Sequence, residues 1–241
     1  MFPKNALLEE IAARLSSMPF PLEDAVEEWV YNFRHTSWAD VGHVDNSSSA
    51  DNSSLAGFAH VIGSIAELGI SQNLSKIAEE WGSRVMIDPI KEKSVRKGKY
   101  ELFYNMFGQL IAADKLKHCK IGEYDGLFLA DELPVVVEVK LRRGRDIRRS
   151  SKFRLNRALS LGHLQKKLHP LEEYFSQPVG HIFVTYQNRI TATSEVQQKY
   201  LDAGGILVPF PLDCLDYHQK VAGAFLGRLV KGYHKTSEQL F

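Results

Sequence analysis

The stretch that most constrains this chain is Asp125–Lys140, DGLFLADELPVVVEVK. A strand over Lys120–Leu129 contains Asp125, a turn follows at Ala130–Leu133, and a second strand runs over Pro134–Val139, apolar throughout except for Glu138. A run such as Val135-Val136-Val137 belongs in a central strand covered on both faces, and so short a connection predicts antiparallel pairing of the two strands. Side chains alternate along a strand with period two, so Glu138 and Lys140 share a face. An acid and a lysine at the end of a buried hairpin are expensive to place unless they are paired. Asp125, Glu138 and Lys140 are therefore the candidate active site.

On either side of the hairpin the pattern alternates. Upstream, Leu7, Leu8, Ile11 and Leu15 fall at helical spacing, and Val26, Trp29, Val30 and Phe33 form a second amphipathic stripe. The polar run 46–54, NSSSADNSS, predicts a linker or loop. Leu55–Leu68 and Asn73–Trp81 predict helices, with Gly69 as a C-cap between them. A helix-turn-helix is one reading of that pair, and a helical bundle packed on the main domain is the other, favoured because Glu67, Glu79 and Glu80 would repel a DNA backbone. Lys91, Lys93, Arg96, Lys97 and Lys99 form a basic run around Gly98. The spacing of Leu102, Phe103, Met106, Leu110 and Ile111 predicts a helix over 100–113, with Glu101 in its first turn, where an acid favours the positive end of the helix dipole.

Downstream, the pattern predicts a helix over 153–175, a strand over 179–186, a helix over 194–203, a strand over 206–210 and a last helix over 214–230. The expected fold class is α/β, a mixed central sheet flanked by helices. The expected division is an N-terminal helical region, 1–90, and a main domain, 91–241.

Composition narrows the function class only slightly. The 241 residues carry a formal net charge of +1, so bulk charge points to no polyanionic partner. Locally the picture differs: residues 141–157 hold eight Lys and Arg against one acid, directly after the candidate site. Cys119 and Cys214 have neither metal-ligand nor disulfide-framework spacing, and no secretory pattern opens the chain, which suits a reducing, cytoplasmic compartment. No apolar run reaches the roughly 18 residues a membrane helix needs, and no phosphate-cradling glycine motif is present.

Glu101 in KGKYE, Asp125 in EYDG, and Glu138-Val139-Lys140 in VVVEVK together resemble the PD-(D/E)XK nuclease superfamily. The resemblance covers about residues 96–210, and the KG…E start is also similar to archaeal Holliday-junction resolvases. Tyr124 stands where the proline of the family name would be. The resemblance implies a restriction-endonuclease-like core and a Mg2+-dependent endonuclease, with Mn2+ able to substitute. Asp125 and Glu138 would hold the metal together with the Val139 carbonyl, and Glu101 would complete the shell directly or through water. Lys140 would orient or help deprotonate the attacking water and contact the scissile phosphate.

DNA is the expected substrate. A restriction or other defence enzyme is the first reading, a recombination or repair nuclease the second, and an inactive nuclease-fold module that binds nucleic acid the third. Lys97, Lys99, Arg142, Arg143, Arg145, Arg148, Arg149, Lys152 and Gln165 are the candidate DNA contacts. A homodimer is expected, because symmetric cutting of both strands calls for two-fold symmetry. The helical N-terminal region could also bind a protein partner.

Overall fold

The apolar hairpin forms as its sequence requires and lies at the centre of a sheet. The computed structural model describes residues 1–33, 50–104, 109–117, 119–141, 157–187, 190 and 194–238. Among the described residues nine strands make two sheets: β1 (Val85–Ile87), β2 (Ser94–Lys97), β3 (Tyr100–Tyr104), β4 (Leu110–Asp114), β5 (Cys119–Tyr124), β6 (Gly126–Ala130), β7 (Leu133–Val139), β8 (Gly180–Thr185) and β9 (Ile206–Pro209). The main sheet has the order β1-β6-β7-β8-β9 and the second the order β2-β3-β4-β5. In the main sheet β6 runs antiparallel to both neighbours, while β7, β8 and β9 are parallel. The β6–β7 turn is made by Asp131 and Glu132, whose φ values of 47° and 67° put both in the left-handed region that a two-residue hairpin turn needs.

Helices cover both faces of the main sheet. Helices α1 (Ala6–Ser17), α2 (Leu22–Phe33), α3 (Ala50–Trp81) and α6 (Cys214–Glu238) supply one face. There Ile11, Leu15, Ile65 and Tyr217 pack with Val135, Val137, Val139, Ile182 and Val184. Helices α4 (Leu161–Phe175) and α5 (Glu195–Asp202) lie on the other, where Leu164, Leu168, Leu171 and Tyr200 meet Val136 and Phe183. The alternation predicted for β7 thus divides it: Val135, Val137 and Val139 face α1–α3, and Val136 and Glu138 face α4. β7 is buried along nearly its whole length, as a central strand should be.

The second sheet is wholly antiparallel and is inserted between β1 and β6. It buries Leu102, Leu110, Ala112 and Tyr124 with the α4 side of the core. This corrects the helix expected over 100–113: Tyr100–Tyr104 form β3 and Leu110–Asp114 form β4 instead, with Tyr100 opposite Asp114 and Glu101 opposite Ala113; Met106 lies outside the described residues. The aromatic-rich sequence YELFY suits a pleated surface, and strand pairing on both edges outweighs a pattern equally compatible with helix. The strand expected over 120–129 is likewise two strands, β5 in the second sheet and β6 in the first.

Two further expectations change, the linker and the helix break at Gly69. Residues 50–54 of the expected linker belong to α3, since Ser, Asp and Asn are good helix-starting residues as well as loop formers; the rest of that run, 46–49, lies outside the described residues. α3 also continues through Gly69, so no helix-turn-helix forms. A Cβ at Gly69 would lie 2.2 Å from the Phe20 ring, so this glycine admits an aromatic side chain rather than ending a helix. The boundary expected at residue 90 falls after β1, an edge strand of the main sheet, and α1–α3 share a core with that sheet. Among the described residues no helix is long and apolar enough to cross a membrane.

Candidate active site

Asp125 sits at the bend where the chain leaves β5 of one sheet and enters β6 of the other. That junction turns its carboxylate toward the end of β7. Its Oδ2 accepts the Val139 N–H at 2.8 Å and the Lys140 ammonium at 2.8 Å, and its side chain is 4% exposed. Lys140 is fixed through its backbone: its N–H donates to the Val184 carbonyl at 2.9 Å, and its own carbonyl accepts from the Thr185 hydroxyl at 3.0 Å. Its Nζ also lies 3.5 Å from Glu138 Oε1. The three residues singled out in the sequence therefore do converge, with the Lys140 ammonium between the two carboxylates.

Glu138 is buried, and its second oxygen is engaged from the other side. Oε2 accepts from the Lys167 ammonium at 2.8 Å and stands 3.6 Å from His181 Nε2. Burial pushes the Glu138 carboxyl up, but His181, Lys167 and Lys140 together outweigh it and hold the group below its ordinary range. For Lys140, burial pulls downward, and Asp125, Glu138 and Glu67 prevail, keeping it firmly cationic. His181 is fully buried, which lowers its pKa and keeps it neutral. Its Nδ1 is 2.8 Å from the Tyr200 hydroxyl. If that hydroxyl gives its one proton to Nδ1, the Nε2–H is aimed at Glu138; the reverse tautomer would face a lone pair to a carboxylate.

Glu67, half-buried on α3, is the acid that sequence reasoning missed. Burial, reinforced by the negative charges of Asp125 and Glu123, pushes its carboxyl up to about 8. Lys140 opposes this shift and Gln109 donates a hydrogen bond. Nothing in the Ala66-Glu67-Leu68-Gly69 run distinguishes this glutamate from a surface residue. Lys167 and His181 did leave a signal. Lys167 occupies a core position of the stripe Leu164, Lys167, Leu168, Leu171, all buried, and His181 interrupts the apolar strand GHIFVT.

Glu101 is placed differently from its expected position. It lies on β3, not at a helix start, and its Oε1 accepts from Ser94 Oγ at 2.8 Å and Arg96 Nε at 3.3 Å on β2. Those two donors lower its pKa. Lys97 donates to the Tyr174 carbonyl at 2.6 Å and to Ser176 at 2.9 Å, capping the C-terminal end of α4. Lys99 lies 4.9 Å over the Tyr100 ring. Gln165 is exposed on α4. Arg142, Arg143, Arg145, Arg148, Arg149 and Lys152 lie outside the described residues.

The donor set is made of hard oxygen atoms from Asp125, Glu138 and Glu67, of the kind that suits Mg2+ or Ca2+. Among the described residues no three His, Cys, Asp or Glu side chains are gathered closely enough to enclose a metal ion; here the Lys140 ammonium stands between Asp125 and Glu138. The charges already balance without a cation: the ammoniums of Lys140 and Lys167 match Asp125 and Glu138, and Glu67, raised chiefly by burial, carries little charge near neutral pH.

Comparison with protein-family models, with curated proteins and with solved structures finds no match.

Proposed function

We propose that this protein is a metal-dependent endonuclease that hydrolyses phosphodiester bonds in DNA. The observation that carries this reading is the convergence of Asp125, Glu138 and Lys140, from a sheet junction and a central strand, with Glu67 in electrostatic reach. A main sheet in which β6, β7 and β8 form an antiparallel hairpin followed by a parallel crossover supports the restriction-endonuclease-like core that the resemblance implies.

Asp125, Glu138 and Glu67 would hold the cation, with the Val139 carbonyl as a further ligand; Glu101, fixed by Ser94 and Arg96, is the weaker candidate. When bound, Mg2+ supplies charge neutralisation for the phosphate and a lowered pKa for water. Lys140 stays cationic beside these acids, so its role is to contact the scissile phosphate and stabilise charge developing on its oxygens, rather than to serve as a neutral base. Glu67, neutral near pH 7, becomes a competent ligand only on losing its proton. The basic segment 142–157 would hold the DNA backbone, and affinity should then fall with salt at a log–log slope of about −0.9 per phosphate neutralised. Restriction or defence remains the first reading, with recombination or repair second.

The test is cleavage of plasmid DNA with and without Mg2+ or Mn2+. Lys140→Ala should lower the rate by a factor of about 100 or more, the scale seen on removing a charge-stabilising group at a reaction centre, and should also lower the melting temperature, because it leaves the buried Asp125 carboxylate without its cation; Lys140→Arg keeps the charge and separates the two effects. Folded protein that cuts no DNA at any metal concentration refutes the proposal.

A further inference from the structure

The second sheet ends, away from Asp125, in two neighbouring turns that carry lysines. The β2–β3 turn presents Lys97 and Lys99 on either side of Gly98, and the β4–β5 turn presents Lys115 and Lys117 on either side of Leu116. The turns are tied together: the Lys115 N–H donates to the Lys99 carbonyl at 3.0 Å, and its ammonium to the Gly98 carbonyl at 3.4 Å. Asp114 fixes the second turn, its Oδ1 accepting the Leu116 and Lys117 N–H groups at 2.9 and 3.1 Å. Lys97, Lys99 and Lys117 are exposed and Lys115 is half-buried. Among the described residues none of these four ammoniums forms an ion pair with a carboxylate. Acids on the neighbouring strands are engaged elsewhere, Glu101 by Arg96 and Glu123 by Lys120. The acids that act on Lys99 are Asp114, which is buried, and Glu173, which is half-buried against Gly98. The two turns therefore present a fixed positive patch.

Resting on the nuclease reading, we propose that these joined turns are a second contact for the DNA backbone, reached along β5 from the candidate site and holding the duplex through Lys99, Lys115 and Lys117. β5 spans six residues between the turn and Asp125, about 20 Å at about 3.3 Å per residue. At about 3.4 Å per base step, the contact falls about six base pairs from the cut. The lysines spread across two to three strand spacings, about 10 Å, which matches about three steps of one DNA strand. Lys97 is the exception among the four, because its ammonium is spent on the Tyr174 carbonyl and the Ser176 hydroxyl. Charge decides the partner. Leu116 is 81% exposed, but one leucine offers too little apolar surface to hold a lipid bilayer, whereas each lysine set against a phosphate releases a counterion.

The experiment is fluorescence anisotropy of a labelled duplex of about 30 base pairs with the full chain, in chelator so that nothing is cut, across about 50–200 mM salt. The triple variant Lys99→Gln, Lys115→Gln, Lys117→Gln should have a log–log salt slope shallower by about 2.7, so that the native protein loses about 40-fold more affinity over that range than the variant does. The double variant Lys99→Gln, Lys117→Gln spares the Lys115 contact to Gly98 and should shift the slope by about 1.8 if the triple variant does not fold. A control triple, Lys4→Gln, Lys76→Gln, Lys220→Gln, removes the same charge from exposed lysines elsewhere and should keep the native slope. A folded patch variant with the native slope overturns the inference and leaves the nuclease reading standing, as does a control that loses as much. Sedimentation with vesicles of equal parts phosphatidylcholine and phosphatidylserine, lost in the patch variant while its DNA binding is kept, overturns it in favour of a lipid surface. Native protein that neither binds nor cuts DNA overturns both.

Discussion

Glu67 couples the charge of the site to folding. Its carboxyl titrates near pH 8 when folded, against an ordinary value of 4.5, so between those values the folded state binds more protons than the unfolded one. Stability must then fall as pH rises through that window. Glu138 acts in the opposite sense: its depressed pKa contributes stability above its ordinary value, which is lost as pH falls through the folded one. The metal-free protein should therefore be most stable at about pH 5–6 and weaken toward pH 9. Glu67→Gln should flatten the alkaline limb and stabilise the protein at pH 8 by on the order of 1–2 kcal/mol; saturating Mg2+ should flatten it as well. Melting curves from pH 5 to 9 read this directly, and an alkaline slope that persists in Glu67→Gln would exclude Glu67 as its source. Asp125, Glu138 and Lys140 were legible because strand periodicity alone puts Glu138 and Lys140 together and the hairpin returns the chain to Asp125. Glu67 was not, because its meaning depends on where α3 crosses the sheet, which no local pattern encodes. Lys167 lay between these cases: a lysine in a leucine stripe is visible, but its partner is not.

Elements were legible where burial left one choice of period. β7, buried on both faces, and α4, with its leucine stripe, could be nothing else. The stretch 100–114 was ambiguous, since its apolar residues satisfy a helical stripe, while in the paired strands they divide between the two faces, Leu102 with Ala112 on one and Phe103 with Ile111 on the other. Only the partners β2 and β5, brought in from outside the segment, decide it. Gly69 misled for a related reason. A glycine closing an apolar helix reads as a cap, yet here it is the floor under Phe20, whose ring also meets Phe210 and Tyr217 at centroid distances of 5.0 and 5.4 Å. Gly69→Ala should destabilise by about 1–3 kcal/mol, the usual cost of overpacking a filled core, even though alanine favours helix. Pairing it with Phe20→Leu should recover part of the loss; a double-mutant cycle by denaturant unfolding measures the coupling. If Gly69→Ala stabilises, helix propensity wins and the close contact does not constrain the native state.

At the scale of the whole molecule, the helices before residue 90 and the sheet after it bury the same core, and three long-range ties close the assembly. Asn5 caps α1 through the Leu8 N–H while its amide donates to the Ala130 carbonyl at the β6–β7 turn. The Tyr217 hydroxyl of α6 donates to the Ile62 carbonyl of α3 at 2.8 Å. The Phe2 N–H donates to the Ala203 carbonyl at 2.6 Å, and its ring lies 5.8 Å from the His181 ring, the residue that faces Glu138. Elements from both ends of the chain thus support the candidate site. Removing residues 1–90 would strip α1–α3 and β1 from the sheet, leaving α6 alone to cover the face of Val135, Val137, Val139, Ile182 and Val184 and deleting Glu67. A fragment of residues 91–241 should therefore fail to fold cooperatively and should aggregate. The intact chain should unfold in a single transition, with far-UV circular dichroism and tryptophan fluorescence changing together. Two separated transitions, or a fragment that melts sharply and binds Mg2+, would mean that the sheet stands without its helical face and that Glu67 is dispensable to the metal site.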